Sequence, residues 1–229
     1  MSEKILKVNR RELKYQLDYH TLNRLLNSAR NILNPDEFMI GDSYQVISLY
    51  FDTPNRDDLY DKINGVSNKH KLRLRIYNND DSFIKLELKT KIGQYQNKRS
   101  LKVEREEACL LINGNAGFLL DKGKFGLELY EMIRVNRYRP SVIIEYKRQA
   151  FKYKHFNTRV TFDSNIRYSY RFHEFLNRDL NTLPILNNHP LLEVKYDGQL
   201  PDHIKHILYE KNLNQVSFSK YQYVMQESK

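Results

Sequence analysis

Cysteine is nearly absent from the chain, and long apolar runs are absent altogether. The single Cys109 excludes an internal disulfide and suits a reducing compartment, while its apolar surroundings (ACLLI) predict a core position. The first 15 residues, MSEKILKVNRRELKY, lack the apolar core of a secretory signal. No run approaches the roughly 20 apolar residues that a membrane-spanning helix needs. These absences predict a soluble, cytoplasmic protein.

Two common nucleotide-binding signatures are also missing, because neither G-x-x-x-x-G-K-[ST] nor G-x-G-x-x-G occurs. A phosphate ligand would therefore need another kind of surface. The charge balance favours such a ligand, since 38 Lys and Arg against 28 Asp and Glu leave a net charge of +10. This excess predicts an anionic partner, which could be nucleic acid, a phosphorylated small molecule, polyphosphate or an anionic membrane surface.

The clearest local pattern runs from Lys71 to Lys91, where charged and apolar residues alternate in two runs. Lys71, Arg73 and Arg75 share one parity, and Lys85, Glu87 and Lys89 continue it after the polar stretch at 78–82. Successive strand residues point to opposite faces of a sheet. The pattern therefore predicts a β-hairpin with one apolar and one charged face.

Similar strands are predicted along the whole chain. Predicted strands cover residues 8–17, 44–52, 98–106, 141–151, 158–168 and 190–197, and predicted helices cover 19–33 after an Asp18 N-cap, 56–63, pieces of 107–139, 201–211 and the C-terminal 217–226. No low-complexity linker divides them, which predicts one α+β domain over residues 1–229. About eight strands suit a closed antiparallel β-barrel tunnel with surrounding helices and a C-terminal helix.

The charged faces of the predicted strands have two interpretations, a face in water or a face that binds a ligand. On any single strand they are most simply a solvated face, because exposed charge is the usual case on a half-buried strand. Pooled over several strands they favour a ligand, because the positions are mostly Arg, Lys and Glu rather than Ser, Thr or Asn. Inward-facing Arg and Lys need an anion, and arginine binds phosphate oxygens in a bidentate manner. Nucleic acid is disfavoured, because acids interrupt the basic residues and no continuous basic stripe forms.

At these positions the sequence resembles the VTC-type polyphosphate polymerase domain of the CYTH/triphosphate tunnel metalloenzyme superfamily. Nine blocks match in the family's order, from about residue 8 to 225: RELKY at 11–15, SLYFDTP at 48–54, KLRLRIY at 71–77, LELK at 86–89, KR at 98–99, EYKRQAF at 145–151, RVTFD at 159–163, EVKY at 193–196 and SFSKY at 217–221.

The resemblance implies an eight-stranded tunnel that binds ATP and inorganic polyphosphate and uses Mn²⁺ or Mg²⁺ to transfer the ATP γ-phosphate onto the chain. It implies catalytic roles for Arg73, Arg75, Lys89, Arg148, Arg159 and Lys195. It also implies phosphate binding by Lys14, Lys98, Arg99, Tyr146, Ser219 and Lys220. The metal ligands would be Glu193, Glu87 and Glu12.

One position departs from the family's wider pattern. The superfamily carries E-x-E-x-K on its first strand, whereas this chain reads Arg10-Arg11-Glu12-Leu13-Lys14. The loss of one carboxylate favours a polymerase over an inorganic triphosphatase of the same fold. It leaves a catalytically silent polyphosphate-binding module as a further alternative. Relatives often work with a membrane channel, so a separate membrane protein and a peripheral position at the inner face of the membrane are also expectations.

Overall fold

The computed structural model describes residues 10–39, 41–93, 95–209, 213–217 and 219–228. In these ranges the elements follow the order β1 (Arg10–Gln16), α1 (Tyr19–Ile32), β2 (Asn34–Pro35), β3 (Tyr44–Asp52), α2 (Asp57–Ile63), β4 (Asn68–Tyr77), β5 (Asp80–Ile92), β6 (Tyr95–Val103), α3 (Arg105–Ile112), α4 (Gly123–Val135), β7 (Arg139–Tyr153), β8 (Thr158–Ser169), β9 (Leu183–Pro184), β10 (Leu191–Asp197), α5 (Asp202–Tyr209), β11 (Asn214–Gln215) and α6 (Lys220–Glu227).

The chain divides into two compact units. The first unit comprises Met1–Tyr44, Lys147–Asn165 and Asn188–Ser217, and the second comprises Gln45–Tyr146, Ile166–Asn187 and Phe218–Lys229. Each unit has its own buried cluster of apolar side chains.

The first unit packs α1 against the apolar face of an antiparallel sheet. β10 lies between β1 and β8 in this sheet. Asp18 begins α1, because its carboxylate accepts a hydrogen bond from the Thr21 backbone N–H at 2.7 Å. Leu22, Leu25 and Leu26 of α1 recur at helical spacing and are buried in the cluster that also contains Val194 of β10.

The second unit is built on four antiparallel strands in the order β3-β4-β5-β6. Their apolar positions, such as Leu49, Leu74 and Leu86, are buried together with Leu111 of α3 and Leu129 of α4. Because side chains alternate along each strand, burial of this face turns the charged positions to the opposite face.

The predicted β4–β5 hairpin closes more tightly than the sequence indicates. β5 begins at Asp80, so only Asn78 and Asn79 form the turn. Both asparagines have positive φ, 52° and 55°. Two consecutive residues of this kind belong to the turn whose twist matches a right-handed strand pair, and asparagine tolerates that conformation well.

Most predicted elements are confirmed, with four corrections. The strand predicted over residues 98–106 ends at Val103, because Glu104 and Glu107 cap the start of α3 with reciprocal side chain–backbone hydrogen bonds. Cys109, expected in the core, is exposed on α3. The predicted helix over 217–226 begins only at Lys220, because the Ser219 side chain caps its N-terminus. The predicted helix over 201–211 is observed as Asp202–Tyr209, and residues 8–9 and 210–211 of the predicted elements lie outside the described residues.

The α+β class with a mostly antiparallel sheet is confirmed, whereas the closed eight-stranded barrel is not. Of the eleven strands in the ranges given above, nine form a hydrogen-bonded path from β11 to β6 that does not close, and β2 and β9 pair with β7 and β8 beside it. The eight-stranded tunnel and the single domain over residues 1–229 stay predictions. No helix in the described part of the chain is long and apolar enough to cross a membrane.

Candidate functional site

The charged face of the second unit carries cations in rows that cross the strands. Lys71 of β4 lies directly opposite Lys89 of β5, which in turn lies opposite Lys98 of β6. A second row consists of Arg75, Lys85 and Lys102. Like charges that face each other across strands are destabilising, so the register of this sheet concentrates positive charge at a cost in stability. We call these residues, together with Arg73 and Glu87 between the rows, the basic face.

Glu87 lies at the centre of the basic face. Its side chain is only 1% exposed, and Arg73 binds its Oε2 atom through both Nε at 2.8 Å and Nη2 at 2.7 Å. Lys98 Nζ lies 2.5 Å from Oε1, and Arg75 Nη1 lies 3.8 Å from Oε2. Burial by itself opposes ionisation, but Arg73, Arg75 and Lys98 outweigh it and hold the pKa of Glu87 well below its usual range.

Hydroxyl groups orient the two arginines from the neighbouring strands. The Tyr50 hydroxyl accepts a hydrogen bond from Arg73 Nη1 at 3.2 Å, and the Ser48 hydroxyl accepts one from Arg75 Nε at 3.0 Å. Tyr146 accepts a long hydrogen bond from Arg75 Nη2 at 3.5 Å. The guanidinium planes are therefore held at several points, as phosphate recognition requires.

The C-terminal helix brings a further cation to this group. Lys220 Nζ lies 4.7 Å from the centre of the Tyr146 ring. Tyr221, the next residue, stacks on Tyr50 with ring centres 5.2 Å apart. Lys220 and Tyr146 were both predicted to bind phosphate, and the structure places them together in the second unit.

The basic face keeps a positive charge after its internal pairing. Glu87 supplies one negative charge, whereas its partners Arg73, Arg75 and Lys98 supply three positive ones. Lys71, Lys85 and Lys89 are further cations on the same face. Glu87 therefore orients the arginines without neutralising the surface, and the face can bind a chain of phosphate groups.

The charged face of the first unit has a different order. Glu12 lies opposite Lys195, and Lys14 lies opposite Glu193, so the charges of β1 and β10 alternate in sign across the strands. Along each strand, Lys14 Nζ also lies 2.7 Å from Glu12, and Lys195 forms an ion pair with Glu193. This face is close to charge balance in its middle.

The predicted arginines of the first unit each have a buried acidic partner. Arg148 binds Asp163 with two parallel hydrogen bonds, from Nε at 2.6 Å and from Nη2 at 2.8 Å. Arg159 Nη2 lies 2.9 Å from Asp36 and also donates to the Tyr44 hydroxyl at 3.2 Å. Sequence reasoning assigned no role to either aspartate, although Asp163 shares the strand parity of Arg159.

Two predicted phosphate ligands are placed elsewhere. Arg99 lies opposite Leu88 and so belongs to the other face of the sheet, where it contacts the Phe125 ring and pairs with Glu128 at 2.6 Å. Ser219 is the N-cap of α6, because its hydroxyl accepts a hydrogen bond from the Gln222 backbone N–H. The structure thus accounts for both residues by local packing and capping.

The three predicted metal ligands fit a divalent cation unequally. Glu87 fits poorly, since Arg73 already donates to its Oε2 atom and the positive charge of Lys98 lies 2.5 Å from its Oε1 atom. Glu12 and Glu193 fit better, because they are diagonal neighbours on one sheet face and their ion pairs are with flexible lysines. No group of three acidic, histidine or cysteine side chains that could hold a metal is found among the residues that the structure describes.

A buried acidic pair at the start of α2 explains the F-D-T-P block of the sequence. Asp52 accepts hydrogen bonds from the backbone N–H groups of Thr53, Asp58 and Leu59 and from the Tyr221 hydroxyl at 2.6 Å. Asp58 accepts one from Tyr138 at 3.0 Å. Burial, reinforced by the negative charge of Asp52, raises the pKa of Asp58 to about 8. These aspartates build the helix start, and the charge of Lys71 on the basic face partly offsets the rise in the pKa of Asp58.

Comparison with known proteins gives one family match and distant fold matches. The model of the VTC domain matches residues 9–228. No curated protein sequence matches the chain. The bh2851 protein of Bacillus halodurans, described as a candidate adenylate cyclase, is 15% identical with a TM-score of 0.50, covering 89% of this chain and 86% of its own. The PH1819 protein of Pyrococcus horikoshii is 10% identical with a TM-score of 0.51, covering 95% and 98%. At these identities the two structures show a shared fold alone.

Proposed function

Because the chain belongs to the VTC domain family, we propose that it is a metal-dependent polyphosphate polymerase that transfers the γ-phosphate of ATP to a growing polyphosphate chain. The observation that supports this most is the basic face of the second unit. Its rows Lys71–Lys89–Lys98 and Arg75–Lys85–Lys102 set like charges directly opposite one another. A regularly spaced polyanion would relieve this repulsion along several rows at once.

The transfer step needs positioning and charge neutralisation rather than a protein nucleophile. A terminal oxygen of the polyphosphate chain forms a bond to the γ-phosphorus, while the bond between that phosphorus and the β–γ bridging oxygen breaks. ADP leaves with the electron pair of the broken bond, and the chain grows by one phosphate. Arg73 and Arg75, fixed by Glu87, Tyr50 and Ser48, would hold phosphate oxygens during this step.

The lysines would act as less directional partners of the phosphate chain. Lys89, Lys98 and Lys220 carry compact charges on flexible stems, which tolerate successive positions of a moving polymer. Glu12 and Glu193 are the carboxylates that would hold Mn²⁺ or Mg²⁺, and the bound ion would supply further charge neutralisation. Cooperation with a separate membrane protein is part of the same proposal.

A catalytically silent polyphosphate-binding module is the second candidate. It is favoured by one observation, namely that each carboxylate predicted to bind metal forms an ion pair with a lysine or arginine of its own unit. In this case the protein would bind the polyanion through the same basic face and would form no product.

One assay separates these functions. Purified protein is incubated with ATP and Mn²⁺, and polyphosphate, free phosphate and ADP are resolved. ADP together with long chains supports the polymerase, stoichiometric free phosphate would identify a triphosphatase, and no product with retained polyphosphate binding supports the silent module. Loss of activity in both Arg73→Ala and Glu193→Ala, each folded by circular dichroism, is expected for the polymerase, and full activity in both would contradict it.

A matched pair of variants tests the basic face directly. Lys89→Gln should weaken binding of tripolyphosphate by about tenfold, because one charge-assisted contact is lost. Arg99→Gln removes a cation from the opposite face of the same sheet and should leave the affinity within about twofold of the original protein. Isothermal titration calorimetry without metal measures both. Equal effects of the two variants would show that overall charge, not this face, binds the anion.

A further inference from the structure

One end of the β4–β5–β6 sheet bears exposed apolar side chains. Ile92 ends β5 and Tyr95 begins β6, and the two are paired across the strands, each 63% exposed. In the segment that leads into β4, Val66 is 38% exposed and Ile63 is 42% exposed. A hydrogen bond from the Gly93 N–H to the Ser67 carbonyl, 3.0 Å long, joins the two segments. We call Ile63, Val66, Ile92 and Tyr95 the apolar tip.

The segments that carry the apolar tip contain no charged residue. Residues 63–68 read INGVSN and residues 92–97 read IGQYQN, in a chain of which 29% is charged. Their described residues are all exposed, on both faces of the sheet end. Charged side chains ordinarily protect an exposed sheet end of this kind. Because they are absent here, this surface is suited to contact something other than water.

Lysines flank the apolar tip in the sequence, at points where the uncharged segments stop. Lys62 precedes Ile63 at the end of α2, and Lys69 and Lys91 lie directly opposite each other one position inward from the tip. We call these three the lysine collar. Lysine stems extend along apolar surface while their ammonium groups remain in a polar layer.

We propose that the apolar tip inserts into the headgroup region of an anionic membrane, with the lysine collar at the level of the lipid phosphates. An apolar and aromatic tip of uncharged residues suits the boundary between headgroups and acyl chains, where tyrosine is favoured. The collar supplies attraction of the matching sign for acidic lipids. The tip is small, so the contact is reversible and depends on both contributions together.

The observations favour lipid over a protein partner or a second copy of the chain as the occupant of this surface. A collar of three lysines that flank uncharged loops is complementary to a uniformly anionic plane. The hydrogen-bonding groups of the loops, in Asn64, Ser67, Gln96 and Asn97, are of the kind that lipid headgroups and their water satisfy.

The chain contains no tryptophan, which allows a single fluorescent probe at the tip. Tyr95→Trp is mixed with vesicles of phosphatidylcholine alone or with about one-third phosphatidylserine. We expect a blue shift and quenching by brominated acyl chains only with the anionic vesicles. Leu186→Trp, at an 80% exposed apolar position outside the tip, is the matched control and should not change. Equal responses of the two probes, or no response at Tyr95→Trp, would overturn the proposal.

Flotation of the vesicles measures the two contributions separately. The double variant Ile92→Ser and Tyr95→Ser should lower partition to anionic vesicles by about tenfold or more. Lys69→Ser and Lys91→Ser should each lower it by about fivefold at low salt. These positions are exposed or half-exposed, and unchanged thermal unfolding confirms that each variant is folded. Undiminished partition of the double variant would refute the insertion.

A competition experiment keeps this proposal separate from the proposed function. Protein saturated with tripolyphosphate should still bind anionic vesicles, although less tightly, because Lys69 and Lys91 lie on the same sheet face as Lys71 and Lys89, whereas the apolar side chains of the tip are not part of the basic face. Loss of vesicle binding on saturation would show that the lipids occupy the basic face, and would overturn insertion through the tip. Concentration-dependent dimerisation that Ile92→Ser abolishes would instead identify a second copy as the occupant and would equally overturn it.

Discussion

The two charged sheet faces are built from the same residue types, yet their registers have opposite consequences. In the first unit, Glu12 faces Lys195 and Lys14 faces Glu193, so opposite charges meet across the strands. In the second unit, Lys89 faces a lysine on either side. Lys195 also lies opposite Arg159 of β8, but that arginine pairs with the buried Asp36. The first face thus contains acids for its cations, whereas the second has like charges in rows whose repulsion an anionic ligand can reduce. Register, rather than composition, distinguishes a balanced surface from a binding surface.

The largest expected difference between the faces concerns their glutamates. Glu87→Gln should lower the free energy of unfolding by about 3–5 kcal/mol, because it leaves the buried Arg75 and the partly buried Arg73 without their anion. Glu193→Gln should cost less than about 1 kcal/mol, as for an ordinary cross-strand pair. Urea denaturation measures both. Saturating tripolyphosphate should recover part of the loss in Glu87→Gln, because a ligand that binds the folded state stabilises it. Similar losses of stability in the two variants would show that Glu87 and Glu193 do not differ in this way.

The pH dependence of stability should distinguish two acids within the second unit. Asp58 has its folded pKa raised to about 8, so the folded state retains a proton that the unfolded chain releases. The stability that this retained proton provides is complete below the ordinary aspartate pKa. The free energy of unfolding then falls as pH rises from about 4 to 8, by no more than about 1.4 kcal/mol per pH unit. Glu87 behaves in the opposite sense, because its pKa is lowered and its contribution is lost as pH falls below the usual glutamate range.

Asp58→Asn tests this assignment, since it removes the titrating group and retains an acceptor for Tyr138. The free energy of unfolding should then vary less between about pH 5 and pH 8 than in the original protein. An unchanged slope would mean that another group titrates. The buried Asp52 is the nearest candidate, because burial also raises its pKa.

The smallest expected effect is that one lysine substitution on each face changes the stability in opposite directions. Lys14→Gln should destabilise the unliganded protein by a few tenths of a kcal/mol, because it removes an attraction to Glu12 and Glu193. Lys89→Gln should stabilise it by about the same amount, because it removes repulsion from Lys71 and Lys98. Thermal unfolding at low salt measures both changes, and about 1 M salt should reduce them. The same sign for both would show that local packing outweighs charge at these positions.

The secondary structure was largely predictable because its signals are local. Alternation in β4 and β5, the Asp18 cap and the helical spacing of Leu22, Leu25 and Leu26 each need only a few neighbouring residues to act. The end of β6 was misplaced because residues 104–106 continue its alternation of charge, and the reciprocal cap between Glu104 and Glu107 competes with it. Cys109 was misplaced because an apolar stretch on a helix still has a face turned to solvent.

The candidate site was predictable in part. Glu87 was expected to bind metal, but its carboxylate lies between Arg73 and Lys98, which are brought together from neighbouring strands. Lys98 and Arg99 are equivalent in sequence as adjacent cations, and only the pairing of β5 with β6 turns one to the basic face and the other to the core side. Asp163 and Asp36, the partners of Arg148 and Arg159, likewise required spatial proximity to be recognised.

By itself the sequence determined the family, the alternating strands and the residue types from which an anion site could be made. These properties depend on the order of residues and on side-chain periodicity, which any strand obeys. Tertiary structure decided which cations share a row, which acids neutralise them and which segments remain as an uncharged, exposed tip. The physical reason is that electrostatic energy depends on separations across strands and on burial, and both are set by register and packing rather than by position along the chain.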